Sequence, residues 1–511
     1  MTRSVAACEA TSLHANPNAP SRRNLIRGLS LLAAVAPVAT SGFAQLVTGL
    51  SKVTPAPGRL KTNLQLDSSN AQLIDTFNWA RSQAMAYAFD QDPVGPWYEA
   101  VEPGREGFCI RDTCHQALGA HLLGLARFNL NMLRKFAENI SDAKDWCSYW
   151  EIDRFGRPAP VDYKNDAEFW YNLPSNFDLL DCCYRMYVWS GDQAYIEDPV
   201  FLNLYDRTVN DYVERWGLDL DHIMSRPRLL NARGIFDPAR KFPKARGIPG
   251  YNEGDHTYTI GLDVLETQRA AYLAYAHIQQ ARQNTTLAGE FLKKAAAVED
   301  LLKTKWWNNG EKCYYSRLDR NHQPESCGVS HENAGASLVW RPDVISSPTE
   351  FTTPQDTDAA FARLIDLGHA RLEYPEVSYA RVGDLVNRAM GVTLEYSSPL
   401  LAEVEGNWVE VTVRTLSGLG SSVAWAEVDN LPIRSCNIMV RHDGAGKTRL
   451  VNRSGPALIW RPMFAGKHET LLVNGTPVKA TTETDGLGRS ISSARITVGA
   501  GGAIEVEARS S

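Results

Sequence analysis

The sequence predicts a mainly α-helical domain followed by a C-terminal β-sandwich module, and two patterns support this fold class. From Ser69 to about Met390, apolar residues recur at spacings of three and four, which indicates one buried face per helix. After Gly391, short runs of alternating apolar and polar residues are separated by turn residues, as is typical of strands. We therefore expect helices up to residue 395 and a β-sandwich over 396–511.

Apolar periodicity defines the individual helices. Two series of apolar residues show this spacing. The first is Leu73, Phe77, Ala80, Ala84 and Tyr87, and the second is Val264, Ala271, Tyr275 and Ile278. The same spacing predicts further helical stretches at 112–139, 175–190, 202–216, 286–305, 355–368 and 377–390. The loops between them are long and rich in Trp, Tyr, Asn and Asp, and long ordered loops are usually functional.

Strand signals define the C-terminal module. Alternating runs at Trp408–Val413, Asn437–Val440 and Ile496–Val498 predict strands. Asn474-Gly475 lies between two apolar runs, and this dipeptide favours a two-residue hairpin turn in which both residues have positive φ.

The N-terminus resembles an export signal. Residues 21–27 read Ser-Arg-Arg-Asn-Leu-Ile-Arg, and an apolar run over 28–43 precedes the small residue Ala44. This order is typical of a twin-arginine signal peptide. A membrane anchor is the alternative, but the run is short and rich in Ala and Ser. We expect residues 1–44 to be removed, residues 45–395 to form the catalytic domain, and the mature protein to be periplasmic or secreted without membrane contact.

Charge and cysteine usage exclude several classes. The net charge is -6 over 511 residues, without a long basic run, which argues against nucleic acid as a partner. Nine cysteines are too few for a disulfide scaffold, although Cys313 and Cys327 flank a predicted hairpin and could pair. Cys109, Cys114 and His115 lack the spacing of a zinc site, so we expect neither a metal nor another cofactor. The oligomeric state is not predicted.

An arginine–aspartate pair begins the helical stretch at 112–139. Arg111 precedes Asp112, which we expect at the helix N-cap, with the arginine keeping the carboxylate ionised and its lone pairs available to sugar hydroxyls. Trp97 lies in the loop that enters this helix. The alternative is an ordinary capped and salt-bridged helix start.

A second region combines aromatic rings with polar side chains. Aromatic faces stack on the apolar face of a sugar ring, while carboxylates and amides bind its hydroxyls. The predicted groove residues are Trp150, Asp162, Lys164, Trp170, Tyr171 and Asn172. The alternative is an aromatic core beneath a loop.

Two further segments supply carboxylates at helix starts. Asp178 opens the stretch at 175–190 and is either a substrate ligand or a charge favoured by the helix dipole. Glu253 lies in a glycine-containing loop and is the main candidate for a general acid, with Asp255 as its substitute and His256 as a substrate contact. A helix-capping role is the alternative for both carboxylates.

The last predicted helix begins after a proline. Pro375 places Glu376 at a rigid helix start, where it suits a base that positions water, and Glu373 just before it is a substrate-binding candidate. A plain first-turn glutamate is the alternative. The sequence contains no complete phosphate loop, no zinc-protease helix and no nucleophile elbow, so carboxylates are the candidate catalysts.

These motifs together resemble the six-hairpin glycosidase superfamily, in particular its rhamnosidase-like members. The similarity lies in Cys109–Asp112, in Trp306-Trp307-Asn308 with the following Tyr314-Tyr315, and in Tyr374–Glu376 running on to strands after Gly391. The resemblance implies an (α/α)6 toroid of twelve helices, whereas the periodicity predicts about eight. It also implies a glutamate acid in the middle of the barrel and a glutamate base near its last helix, and these roles fall on Glu253 and Glu376.

The preferred hypothesis is an exported exo-glycosidase that removes a terminal sugar with inversion, and a rhamnose-like sugar is implied by the resemblance alone. The first alternative is an unsaturated uronide hydrolase or polysaccharide lyase on the same barrel, for which Lys164, Asn165 and His256 would bind the uronide carboxylate. The second is a carbohydrate-binding protein without catalytic activity.

Overall fold

The computed structural model describes residues 60–102, 104–229, 246–251, 257–310, 313–327, 354–368, 372–396, 411–484 and 489–508. All of them belong to one unit, Val53–Ser511. The predicted export signal lies outside these residues.

Helices dominate the chain up to Ala389. Their bounds are α1 Ala71–Ala86, α2 Ile110–Leu122, α3 Ala126–Glu138, α4 Pro174–Ser190, α5 Ala194–Glu197, α6 Pro199–Arg207, α7 Val213–Trp216, α8 Leu262–Ala281, α9 Thr285–Leu301, α10 Pro354–Ile365 and α11 Pro375–Asp384. Wider π-helical turns continue three of them, at Thr208–Tyr212, Leu302–Trp306 and Leu385–Ala389, and short 3-10 turns occur at Asp142–Lys144 and Ile223–Ser225. No described helix combines the length and apolar character that a membrane crossing requires.

The predicted stretches are confirmed as helical apart from some ends, but 112–139 is wrong as one helix. The chain leaves the helix after Leu122 and begins α3 at Ala126. Gly124 has a φ of 87°, a left-handed conformation that interrupts an α-helix and that glycine adopts without strain. The break allows α3 to pack against α2.

Five helices pack in a continuous series, in which α8 contacts α4, α4 contacts α2, α2 contacts α11, and α11 contacts α1. The crossing between α2 and α11 is close. A Cβ atom on Gly119 would stand 1.8 Å from the carbonyl oxygen of Tyr379, so only glycine permits this approach. One on Gly383 would be 3.4 Å from the nitrogen of Gly119.

Short strands connect the helices, and long strands form the C-terminal part. The short ones are β1 Gln65–Ser68, β2 Ala88–Phe89, β3 Trp97–Tyr98, β4 Gly107–Cys109, β5 Glu151–Asp153, β6 Tyr163–Asn165, β7 Glu168–Phe169, β8 Tyr171–Asn172, β9 Arg246–Ile248, β10 Ile260–Gly261, β11 Trp307–Asn308, β12 Cys313–Leu318 and β13 Pro324–Cys327. The C-terminal ones are β14 Val392–Tyr396, β15 Val411–Leu416, β16 Trp425–Ile433, β17 Cys436–Asp443, β18 Lys447–Ser454, β19 Leu458–Ala465, β20 Thr470–Val473, β21 Thr476–Lys479, β22 Thr481–Thr484, β23 Ser490–Ser493, β24 Ile496–Val498 and β25 Ala503–Ala508.

The C-terminal strands form two sheets. One has the order β1-β16-β17-β18-β25-β20-β21, and the other has β14-β15-β19-β23-β22 with β24 beside β19. Strands β1 and β14 therefore join these sheets although both begin before residue 396. The predicted hairpin is confirmed, because Asn474 and Gly475 connect β20 to β21 with φ values of 48° and 81°.

The described cysteines are free thiols. Five are buried and one is half-buried, and they are Cys109, Cys114, Cys147, Cys182, Cys183 and Cys436. The side chains of Cys313 and Cys327 lie outside the described part of the structure, so their pairing stays a prediction.

Two buried histidines connect the helices to the strands. His442 of β17 contacts the carbonyl oxygen of Met390 through Nε2 at 2.9 Å and the Thr448 hydroxyl through Nδ1 at 2.8 Å. His121 of α2 contacts the carbonyl oxygen of Pro432 through Nε2 at 3.3 Å. Burial lowers the pKa of each imidazole from 6.5 to about 4. Both rings are therefore neutral at pH 7.

This burial predicts a loss of stability in mild acid. Between pH 6.5 and 4 the unfolded chain binds protons at these histidines and the folded chain does not. The free energy of unfolding is therefore highest above pH 6.5 and decreases as the pH is lowered towards 4. His442 alone accounts for about 3 kcal/mol of this loss. We expect the free energy of unfolding of His442→Gln to decrease less than that of the wild type between pH 7 and pH 4 in urea titrations. Equal decreases would contradict the prediction.

Candidate active site

The first turn of α2 carries the arginine–aspartate pair. The helix begins where β4 ends, and the Ile110 N–H donates to the carbonyl oxygen of Trp150 at 2.9 Å. Arg111 Nε donates to Asp112 Oδ1 at 3.1 Å. Cys109 is the N-cap and Asp112 is the third helical residue, so the predicted N-cap role of Asp112 is wrong.

Asp112 is not held ionised as expected. Its pKa is raised to about 7, first by burial and then by the nearby carboxylate of Glu376, and the opposing effect of Arg111 is smaller than their sum. Desolvation disfavours the charged form of a carboxyl group, and a like charge adds to this effect. Asp112 therefore titrates near neutral pH.

Two aromatic rings enclose Arg111. Its guanidinium carbon lies 5.6 Å from the centre of the Trp150 ring and 5.5 Å from that of Tyr251, within the range of cation–π contacts. The arginine side chain is 12% exposed. These rings fix the plane of the guanidinium, so Trp150 contacts this cation where the sequence predicted a sugar-stacking face.

Glu376 begins α11. Pro375 is the first residue of the helix and Glu376 the second, as predicted. His115 Nδ1 lies 3.0 Å from Glu376 Oε1, and because a carboxylate can only accept, Nδ1 carries the proton. The Glu376 side chain is 26% exposed. It thus combines a fixed direction with access to solvent.

Tyr251 connects three of the helices. Its hydroxyl donates to Asp178 Oδ2 in α4, and its backbone N–H donates to Asp263 Oδ2 in α8 at 2.5 Å. Its ring meets the edge of His115 from α2, with centroids 6.5 Å apart. Burial raises the pKa of Asp263 to about 7.

The packing of the helices brings their N-terminal ends together. Four adjacent helices each contribute one carboxyl group from their first two turns, and these are Asp112 of α2, Asp178 of α4, Asp263 of α8 and Glu376 of α11. Helix N-termini carry partial positive charge, which favours carboxylates there. Groups far apart in the sequence thus meet in one cluster.

A second carboxyl pair borders Asp112. Arg105 Nη2 donates to Glu151 Oε2 and to Asp162 Oδ2, the latter at 3.0 Å. The pKa of Glu151 is raised to about 9, mainly by burial and further by Asp162 and Asp112, in spite of Arg105. Asp162, a predicted substrate contact, is therefore engaged by Arg105.

Most of the predicted groove wall lies in the core. Trp97 is 1% exposed, stacks on Phe89 and donates from its indole nitrogen to Asp92 at 2.7 Å. Trp170 and Tyr171 are buried and make edge contacts with Trp150, and the buried Asn172 side chain donates to the carbonyl oxygen of Gly250. Aromatic side chains gain more from burial than from exposure, so the core alternative holds for this set.

The other predicted contacts are exposed or lie outside the described residues. Lys164 is exposed and pairs with Glu168 at 2.5 Å on the hairpin of β6 and β7. Glu373 is exposed ahead of α11. Glu253, Asp255 and His256 lie outside the described residues, directly after Tyr251.

Several residues of the cluster were not predicted. His115 lies three positions after Asp112 on the same helix face, and this helical spacing was the available signal. Asp263 resembles any first-turn aspartate. Glu151 and Tyr251 lie next to predicted residues, but nothing in the sequence distinguishes them from their neighbours. In the described part of the chain, no three metal-binding side chains are grouped to hold a metal ion.

Comparisons with known proteins find similarity at the level of structure. No family model matches the sequence, and no curated protein matches it. An α-L-rhamnosidase structure from Dictyoglumus thermophilum is 11% identical with a TM-score of 0.48, and the match covers 88% of this chain and 51% of that one. One from Streptomyces avermitilis, complexed with L-rhamnose, is 11% identical with a TM-score of 0.45, covering 88% and 42%.

A cellobiose 2-epimerase from Bacillus thermoamylovorans is also similar, at 11% identity and a TM-score of 0.35, with 68% of this chain and 92% of that one covered. The chain spans about half the length of the rhamnosidases that it matches. These matches are similarities of structure alone. Sequence identities of 11% do not transfer an activity to this chain, and the site itself is the basis for a function.

Proposed function

We propose that this protein is a glycoside hydrolase that removes a terminal sugar from an oligo- or polysaccharide. One observation supports this most strongly. Asp112 and Glu376 lie within electrostatic reach of each other, beside a guanidinium fixed between two aromatic rings. Hydrolysis of a glycosidic bond uses carboxyl groups that activate water and bind hydroxyls, together with a planar hydrogen-bond donor.

In the proposed mechanism, Glu376 acts as the general base. Its partial exposure gives access to water, and the bond from His115 orients its carboxylate. Arg111 and Asp112 bind the hydroxyls of the terminal sugar. Glu253 is the proposed general acid, with Asp255 as its substitute, because both follow Tyr251 closely in the chain.

We propose inversion of the anomeric centre, in which the acid and base carboxyls stand roughly 6.5–9.5 Å apart to admit a water molecule. A base whose carboxylate is oriented and accessible to solvent suits this reaction. The uronide alternative has less support, since Lys164 pairs with Glu168 and the Asn165 side chain accepts from the N–H groups of Ala167 and Glu168.

We further propose that the helices close into an (α/α)6 toroid over residues 45–395 and that residues 396–511 form a β-sandwich domain. The continuous series of packed helices supports the first of these, and the two C-terminal sheets support the second. Export by the twin-arginine route, with removal of residues 1–44, is proposed from the sequence pattern.

The test is a panel of 4-nitrophenyl glycosides and of plant and bacterial polysaccharides, with the released sugar followed by mass spectrometry and by NMR of its anomeric proton. We expect release of a single terminal sugar whose first-formed anomer has the opposite configuration to the substrate. An unsaturated product that absorbs in the ultraviolet would identify a lyase instead. Binding without any product would indicate a carbohydrate-binding protein.

A further inference from the structure

The hairpin after β5 extends outward from the site. Strand β5 pairs with β4 so that Glu151 is opposite Cys109 and Asp153 is opposite Gly107. Because β4 runs directly into the helix turn that holds Arg111, the Glu151 end of this ribbon is the site end. Phe155 lies four residues further, at most about 13 Å away along the strand direction.

This hairpin carries exposed apolar side chains. Among the described residues, only three large hydrophobic side chains are mostly exposed, namely Phe155 at 51%, Val161 at 55% and Val478 at 37%. Two of them belong to the segment between Glu151 and Asp162, whereas Val478 is on β21 in the C-terminal sheet.

The turn that presents Phe155 is braced. Asp153 Oδ1 accepts the backbone N–H groups of Phe155 and Arg157, each at 2.9 Å, and its Oδ2 accepts Arg157 Nη2 at 2.9 Å. Arg154 Nε donates to Asp92 at 2.9 Å. Gly156 supplies the left-handed residue of the turn with a φ of 79°. Because the backbone of this turn is already constrained, it loses little conformational freedom when a ligand binds, which favours recognition.

We infer that Phe155 forms a platform that binds sugar units of the substrate beyond the bond that is cleaved. This inference rests on the proposed function. Arg157 and Arg154 lie 4.7 Å and 5.7 Å from the ring centre, so they buttress a ring that still exposes half of its surface. The apolar C–H face of a sugar ring fits such a surface. Since Phe155 stands at the turn of this ribbon and Glu151 at its site end, we expect the sugar units at the platform to belong to an oligosaccharide.

The test compares Phe155→Ala with the wild type on two kinds of substrate. One is the 4-nitrophenyl glycoside that the wild type hydrolyses best, and the other is a series of oligosaccharides of increasing length that end in the same sugar. We expect kcat/KM of Phe155→Ala to fall about tenfold on the longer oligosaccharides, mainly through KM, and to be unchanged on the aryl glycoside. Phe155→Trp should retain the preference for longer substrates.

Val478→Ala is the matched control, since it removes an exposed apolar side chain on β21, and we expect it to be unchanged on both substrates. If the wild type hydrolyses no glycoside, the proposed function fails and the platform with it. If the wild type is active and Phe155→Ala matches it at every length, the platform alone is refuted. A change of molecular mass in light scattering for Phe155→Ala, with unchanged length dependence, would assign the surface to a second copy of the chain and overturn the inference.

Discussion

Replacing Glu376 by Gln is expected to lower kcat on the best aryl glycoside by about 10²–10⁴-fold, the usual contribution of a general base. Glutamine keeps the shape of the side chain, and its carbonyl oxygen still accepts from His115 Nδ1, so the fold should persist. Only the ability to take a proton from water is lost. Steady-state kinetics together with circular dichroism check this result.

Glu290→Gln is the control for this change, because it removes an equal charge from α9, where Glu290 is exposed and pairs with Lys294. We expect it to leave kcat unaltered. If Glu376→Gln also retains full activity, then Glu376 is an ordinary first-turn glutamate whose replacement costs at most about 1 kcal/mol of stability through the helix dipole.

Gly119→Ala is expected to reduce the free energy of unfolding by about 3 kcal/mol, the upper end of the usual cost of overpacking. The added Cβ would meet the Tyr379 carbonyl oxygen at 1.8 Å, and a backbone atom cannot move aside as the end of a side chain can. The helices α2 and α11 must separate. Since α2 carries His115 and α11 carries Glu376, activity should fall with stability.

Gly289→Ala provides the comparison, because Gly289 lies within α9 and a Cβ there would meet no atom within 4 Å. Replacing glycine by alanine in a helix interior adds about 0.5–1 kcal/mol of stability. Urea unfolding of the two variants measures both effects. Equal midpoints for Gly119→Ala and the wild type would show that the two helices are not so closely packed.

The local patterns predicted much of the secondary structure. Helix positions followed from apolar spacing, and the turn at Asn474-Gly475 followed from the φ preferences of those two residues. The break at Gly124 was missed, because a single glycine inside an apolar helical pattern is compatible with both a continuous helix and a helix end.

The exposure of the aromatic side chains could not be predicted from the sequence. Trp170 and Tyr171 were predicted to line a groove, but both are buried. A sequence gives the number of aromatic rings and not the side chains that cover their faces. Trp150 illustrates this point, because its partner is Arg111 and not an open groove.

The sequence by itself determined the helical and strand regions, the Arg111–Asp112 pair and the proline that begins the helix of Glu376, because these depend on residues near each other in the chain. Only the tertiary structure decided that Asp112 and Glu376 meet, that His115 bonds the latter, and that burial raises the pKa of Asp112 to about 7. The physical reason is that desolvation and charge coupling depend on distance in space, which helix packing sets and which a pattern along one chain does not contain.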